Sequence, residues 1–180
     1  AAKLGDADLY KAELVNVDLT GADLSNANLR YAKLTNCEMT GARLIGADLY
    51  RVDLRYANLI DFNFVDSGFN LSYVDLTGAS LDGANLSGLD LSNANLTGAD
   101  LSDAYMLGAN LSDANLTGSD LFRANLSGAN LSGADLSNTY MLGANLSDAN
   151  LTGADLSGAT FSGKHGNSWY FATWSNTVCP

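Results

Sequence analysis

Catalysis requires a positioned base, a nucleophile or a cluster of metal ligands, and few residues in this chain could supply one. The single histidine, His165, lies between Lys164 and Gly166, so a surface or packing role is expected. Cys37 and Cys179 are too few for a disulfide framework, and no Cys-x-x-Cys is present for a metal or redox centre. Cys37 stands two residues before Met39, in a slot usually filled by alanine, which predicts an inward-facing, inert thiol. Cys179 is either free or paired with a cysteine beyond this sequence. Among many aspartates, Asp82, Asp100, Asp103 and Asp120 are expected to gather, with Arg123 beside Asp103 neutralising part of the group. A solvated acidic face is the expectation there, and a weak divalent-cation site the alternative. No catalytic residue, cofactor site or metal ligand is assigned, and the chain is expected not to be an enzyme.

Charge narrows the partners. With 20 acidic and 9 basic residues the net charge is −11, which argues against direct contact with nucleic acid or an anionic membrane. The balance is uneven: residues 1–66 hold most of the bases, whereas residues 67–180 hold only Arg123 and Lys164. No apolar run approaches 18 residues and no basic segment precedes an apolar one, so neither a membrane span nor a retained signal peptide is expected. The sequence begins Ala1-Ala2 without Met, which suggests that something upstream was removed. The compartment stays open, cytoplasmic or exported to a periplasm or lumen.

Any site must be positioned by a repeat, because little else is present. Leu recurs every fifth residue from Leu4 to Leu34, Met39 follows, and the run continues through Leu59 to Phe64. The phase slips by two and then holds from Leu71 to Leu156 and Phe161, with Met106 and Met141 as substitutes. Two positions before each centre comes a small residue, usually Ala; Asp or Asn precedes the centre, Ser or Thr follows it, then Gly, Asn or Asp. A period of five suits neither an amphipathic helix nor an alternating strand. A turn residue in every unit predicts a corner in every unit, and Ala-x-Leu puts both side chains on one side of a short extended stretch. Such a chain closes into a square coil of four units, 20 residues. Residues 20 apart should then suit each other as neighbours. Lys3, Asp23 and Arg43 alternate in sign, as do Glu13, Lys33 and Asp53. Tyr10, Arg30 and Tyr50 run beside Lys11, Tyr31 and Arg51 as a checkerboard of rings and cations suited to cation–π contact.

These units resemble the pentapeptide-repeat family, whose A-[D/N]-L-x-x consensus is matched over residues 2–163. The resemblance implies an all-β fold, a right-handed quadrilateral β-helix with the Leu and Ala slots inward. Thirteen units run from Ala2 to Asp66, then Ser67-Gly68 intervene, then nineteen run from Phe69 to Gly163. That makes about eight coils, a stack of about 38 Å. The inserted Ser67-Gly68 is expected to bulge one corner, with Phe62, Phe64 and Phe69 filling the widened interior. Residues 1–163 thus form the solenoid domain, and residues 164–180 read as a C-terminal cap in which Trp169, Phe171 and Trp174 cover the last coil. Nothing comparable precedes Leu4, so the molecule is expected to be a monomer or a weak end-to-end dimer through its N-terminal coil.

The leading functional expectation is an interaction or structural scaffold for an unknown protein partner. Its candidate contact patch comprises Tyr10, Lys11, Arg30, Tyr31, Tyr50 and Arg51, with Phe122 and Leu142 as a second stacked pair, since aromatic and Arg side chains are enriched at binding hot spots. Mutual stacking on a solenoid face is the plainer account of the same residues. A second reading is DNA mimicry, because some family members that protect topoisomerases resemble a B-DNA rod. About 38 Å of duplex would carry on the order of 22 charges, however, against −11 here. A third reading is ice ordering by the column Thr77, Thr97, Thr117, but its flanking column contains the charged Asp75 and Asp135.

Overall fold

The computed structural model of the protein describes residues 1–65, 69–161 and 177–178. Each unit obeys local chemistry that explains its residue preferences. The residue before the centre forms a single parallel bridge to the next coil, as in Lys3↔Asp23 and Asn95↔Asn115. The Leu or Met carbonyl then accepts the N–H three residues on, as in Ala22 N–H to Leu19 O at 2.8 Å and Ala94 N–H to Leu91 O at 3.0 Å. The third residue of that turn has a positive φ, 62° at Gly21 and 57° at Asn93, while the second does not, which is the signature of a type II turn. Gly, Asn and Asp fill this position because they enter the left-handed region at least cost. The Asp or Asn before the centre closes the unit, its Oδ1 accepting the N–H two residues on, as from Thr20 to Asp18 at 2.9 Å and Ser92 to Asp90 at 3.0 Å.

Four such corners bring the chain back above itself. The first face carries the column Lys3, Asp23, Arg43; the second Asp8, Asn28, Asp48; the third Glu13, Lys33, Asp53; the fourth Asp18, Glu38, Asn58. Both alternating charge columns expected from the sequence therefore exist, and Lys33 Nζ lies 2.8 Å from Glu13 Oε1. Main-chain bonds run both ways between coils: Leu24 N–H donates to Arg43 O at 2.7 Å, and Arg43 N–H to Ala22 O at 2.8 Å. Side-chain amides add ladders of one direction. Asn110 donates to Asp90, Asn130 to Asn110 and Asn150 to Asn130, each at 3.0–3.1 Å. Asn28 donates to Asp8 and Asn58 to Glu38 in the same sense, toward the N-terminal end.

The interior is made of the Leu and Ala slots. Leu24, Leu29, Leu96 and Leu126 are fully buried, as are Ala27, Ala84 and Ala124. Leu4, Leu9 and Leu14 of the first coil stay half-buried. Cys37 is inside as expected, its Sγ 2.7 Å from Leu14 O, and burial pushes the thiol pKa up. The column Ala99, Ser119, Thr139, Ala159 admits two hydroxyls: Thr139 donates to Leu136 O at 2.7 Å, whereas Ser119 Oγ has no partner among the described residues.

The two extra residues, Ser67 and Gly68, lie outside the described residues, but their effect on register does not. Bridges join residues 20 apart up to Glu38↔Asn58, 22 apart from Asp53↔Asp75 to Asn63↔Asn85, and 20 apart again from Asn70↔Asp90. Phe62, Phe64 and Phe69 fill the interior here, with ring centroids 4.6 and 6.0 Å apart. On the first two faces the insertion breaks the wall: among the described residues no bridge joins Arg43 to Asn63 or Asp48 to Asn70.

Trp169, Phe171, Trp174 and His165 lie outside the described residues. The described part of the tail lies on the last coil: Val178 bridges Asp155, accepting from Leu156 N–H at 2.8 Å and donating to Ala154 O at 2.9 Å.

Inside and outside positions should differ sharply in energy. Leu96→Ala is expected to cost roughly 2–5 kcal/mol, the range for a buried large-to-small change, and Ser92→Ala within about 0.5 kcal/mol. Denaturant melts of the two variants measure the difference, and equal losses would contradict the assignment.

Candidate interaction surface

The corner after the second face brings Tyr10, Lys11, Arg30, Tyr31, Tyr50 and Arg51 together on three successive coils. Tyr31 stands edge-on between Tyr10 and Tyr50, at centroid distances of 5.9 and 6.0 Å. Arg30 lies 4.7 Å over the Tyr50 ring and 3.0 Å from Asp48 Oδ2; the bond to Asp48 pushes its pKa up. Lys11 lies 5.0 Å over Tyr10, and Arg51 5.6 Å over Tyr50. Among the described residues no carboxylate forms an ion pair with Lys11 or Arg51. Both cations rest on tyrosine faces instead, in a protein of strongly negative net charge.

The ladder extends beyond the residues singled out from sequence. Arg51 also lies 5.2 Å over Tyr73 on the fourth coil. On the neighbouring corner Tyr56 is 60% exposed beside Arg55, whose guanidinium grips Asp53 at 2.6 Å and approaches Asp75 at 3.8 Å. A signal for these residues was present in the sequence. The last position of each unit must take a positive φ, and among the described residues Gly, Asn or Asp fills it everywhere except Lys11, Tyr31, Arg51, Tyr56, Tyr73 and Arg123. For such side chains the left-handed conformation costs about 1–2 kcal/mol each. Four of the six, Lys11, Tyr31, Arg51 and Tyr73, form one column.

Phe122 and Leu142 share another corner column, after the fourth face, but the ring of Phe122 stacks on Tyr140, at 6.2 Å and 22°. They do not join the first group. Arg123 corrects a second expectation. It lies 5.0 Å over Phe122 and forms no ion pair with Asp103; its guanidinium rests on the ring of its own neighbour instead. The acidic group therefore keeps its repulsion: burial first, then Asp100, Asp103 and Asp61, raise the pKa of Asp82. Among the described residues no cluster of His, Cys, Asp and Glu could hold a metal ion.

The hydroxyl column suits water ordering poorly. Thr77, Thr97 and Thr117 spend their donors on Asp75, Asn95 and Asn115 in their own units, at 2.6–2.7 Å.

The Asp53–Arg55 pair flanks the tyrosine corner and makes a pH test. Burial works to raise the Asp53 pKa, but the hydrogen bonds and charge of Arg55 win and hold it below the ordinary 3.8. A lowered carboxylate pKa stabilises the fold above the unfolded value, and that contribution is lost as pH falls through the folded one. Arg55→Gln should therefore destabilise at pH 7, and the difference from the parent should shrink as pH falls below the ordinary 3.8 of an aspartate. Denaturant melts across that pH range check it.

With this geometry in view, a family profile described as Pentapeptide repeats matches in 8 copies, over residues 2–41, 27–66, 67–98, 90–128 and 124–163. Solved structures similar to the chain include a pentapeptide repeat protein from the thylakoid lumen of Arabidopsis thaliana, at 39% identity and TM-score 0.47; the match covers 49% of this chain and 59% of that one. HetL from the cyanobacterium Nostoc sp. strain PCC 7120, involved in heterocyst differentiation regulation, is 33% identical over 99% of this chain and 90% of its own, with TM-score 0.42. QnrB1, a plasmid-mediated fluoroquinolone resistance protein, is 21% identical over 98% and 93%, with TM-score 0.44. A comparison with curated protein sequences gave no match.

Proposed function

This chain belongs to the pentapeptide-repeat family, and on that premise we propose that it is a non-enzymatic scaffold that binds another protein through its tyrosine and cation corner. The coil is right-handed on the same premise. One observation carries the reading. Lys11, Tyr31, Arg51 and Tyr73 occupy positions whose backbone favours Gly or Asn, so this corner gives up stability for large surface side chains. Tyrosine and arginine are the side chains that dominate protein interfaces, and their rings and cations lie along three coil steps, about 14 Å. Duplex mimicry is the lesser reading. The acidic residues Asp82, Asp100 and Asp103 gather on one corner, whereas this corner presents cations that a nucleic-acid-binding protein would repel.

The reading predicts a variant that folds as well but binds worse. Tyr31→Asn relieves the left-handed strain while losing two ring contacts, each worth about 0.5–1.5 kcal/mol, so its denaturation midpoint should stay close to the parent's. Capture of partner from the source cell by the intact protein should fall at least tenfold with Tyr31→Asn or Arg51→Asn and be unaffected by Ser92→Ala. Equal capture by all of them would remove the corner from consideration.

The first coil carries the second part of the proposal, weak end-to-end pairing where Leu4 and Leu9 stay half-buried. Sedimentation over a concentration series should show association that charge substitutions at Leu4 and Leu9 abolish; association unchanged by them would exclude this end.

A further inference from the structure

Between the third and fourth coils a contiguous set of main-chain hydrogen bonds is missing. In the coil before, the N–H groups of Gly21, Leu24, Asn26, Leu29 and Tyr31 all donate to the next coil, at 2.7–3.1 Å. Among the described residues, their counterparts Gly41, Leu44, Gly46, Leu49 and Arg51 donate to no carbonyl, and pairing resumes at Leu54 and Tyr56. Ala22 O and Ala27 O accept from Arg43 and Asp48, but among the described residues Ala42 O and Ala47 O accept from no N–H, and Asn70 N–H on the facing lip donates to no carbonyl. The second face opens into a crevice of about 330 Å³ lined by Gly46–Tyr50, Phe69, Asn70 and Arg30. Its mouth adjoins the tyrosine corner through Arg30 and Tyr50.

One lip thus carries unused donors and acceptors in alternation, and the other an unused donor at Asn70. A simple anion would satisfy only the donors and an apolar ligand neither. A peptide backbone supplies both, in the alternation that strand addition requires. We propose that this crevice receives an extended peptide segment of a protein partner, paired main chain to main chain with Ala47 and Leu49 on one lip and Asn70 on the other. Successive side chains of the segment point to opposite sides. One, small and apolar, faces Leu49 and Phe69, and the next, polar, lies beside the Arg30–Asp48 ion pair. This rests on the protein-binding reading above but assigns the contact to the break in the wall.

Three measurements on the full chain test it. Residue-resolved hydrogen exchange should show Leu44 and Leu49 amides exchanging at least 100-fold faster than Leu29 and Leu54. Deleting Ser67 and Gly68 restores a uniform 20-residue register and should protect them. Seven-residue peptides selected from a random display library on the intact protein, and counter-selected on the shortened one, should bind the intact protein at least tenfold tighter. Those peptides should shift the amide signals of Leu49, Arg51 and Asn70, lose at least tenfold on single backbone N-methylation, and bind Tyr31→Asn normally. Protected Leu44 and Leu49 amides in the intact chain, no enriched peptide, or insensitivity to N-methylation would each overturn the proposal. Peptides lost with Tyr31→Asn but retained by the shortened chain would place binding on the corner alone, so that the proposed function stands and this inference falls. Self-association abolished by the deletion would make the occupant a second copy and overturn the assignment. Were the shortened chain not to fold, exchange and N-methylation, both read on the intact protein, decide.

Discussion

Everything in this molecule depends on parallel main-chain pairing between residues one coil apart. That pairing satisfies polar groups which the Leu and Ala interior cannot, and it permits only a fixed number of residues per turn. Each slot of the unit then follows. Ala is small where the chain passes close to the interior, Leu fills the space, the Asx side chain closes the turn, and a left-handed residue makes the corner. Where two residues are added, as after Phe64, the interior absorbs the change with three phenylalanines, but the wall cannot. Among the described residues the amides of Gly41, Leu44, Gly46, Leu49 and Arg51 lack the cross-coil carbonyls that their counterparts one coil earlier have, while the columns on the other two faces stay joined.

Most of the architecture was legible in the sequence because a period of five, once seen, leaves little freedom. The sign alternation of Lys3, Asp23 and Arg43, and of Glu13, Lys33 and Asp53, gave the coil length before any coordinates, and the bridges reproduce it. The tyrosine corner was legible for the same reason, as far as Arg51. Tyr73 was hidden by the two-residue slip, which breaks the 20-residue count that links it to Arg51. Tyr56 was hidden because its column holds no second aromatic residue. Arg123 stands one coil from Asp103 as its column requires, but without the expected ion pair, because column arithmetic gives a residue's coil and face and not the direction of a long side chain. That direction depends on competition between a ring and a carboxylate. The broken wall was not legible at all. An insertion in sequence says that register changes, not which hydrogen bonds fail.

The two halves of the rod are chemically unlike. In the first, large side chains occupy left-handed corners, cations rest on rings, and ion pairs cross between coils. In the second, Gly, Asn and Asp hold the corners except at Arg123, and among the described residues amide ladders continue without ion pairs; the acidic group near Asp82 keeps its repulsion. A regular solenoid tolerates this because each coil contacts mainly its neighbours, so local departures have local costs. Surface chemistry can vary along the axis without disturbing the interior.

The amide ladders all point one way, each Asn donating to the coil that precedes it in the chain. A finished coil therefore displays side-chain acceptors toward the coil that follows, and the incoming coil brings the donors. Because a ribosome delivers the N-terminal coils first, each newly synthesised turn meets a template already set to receive it. The polarity of the ladders thus runs with the order of synthesis, acceptors first and donors after.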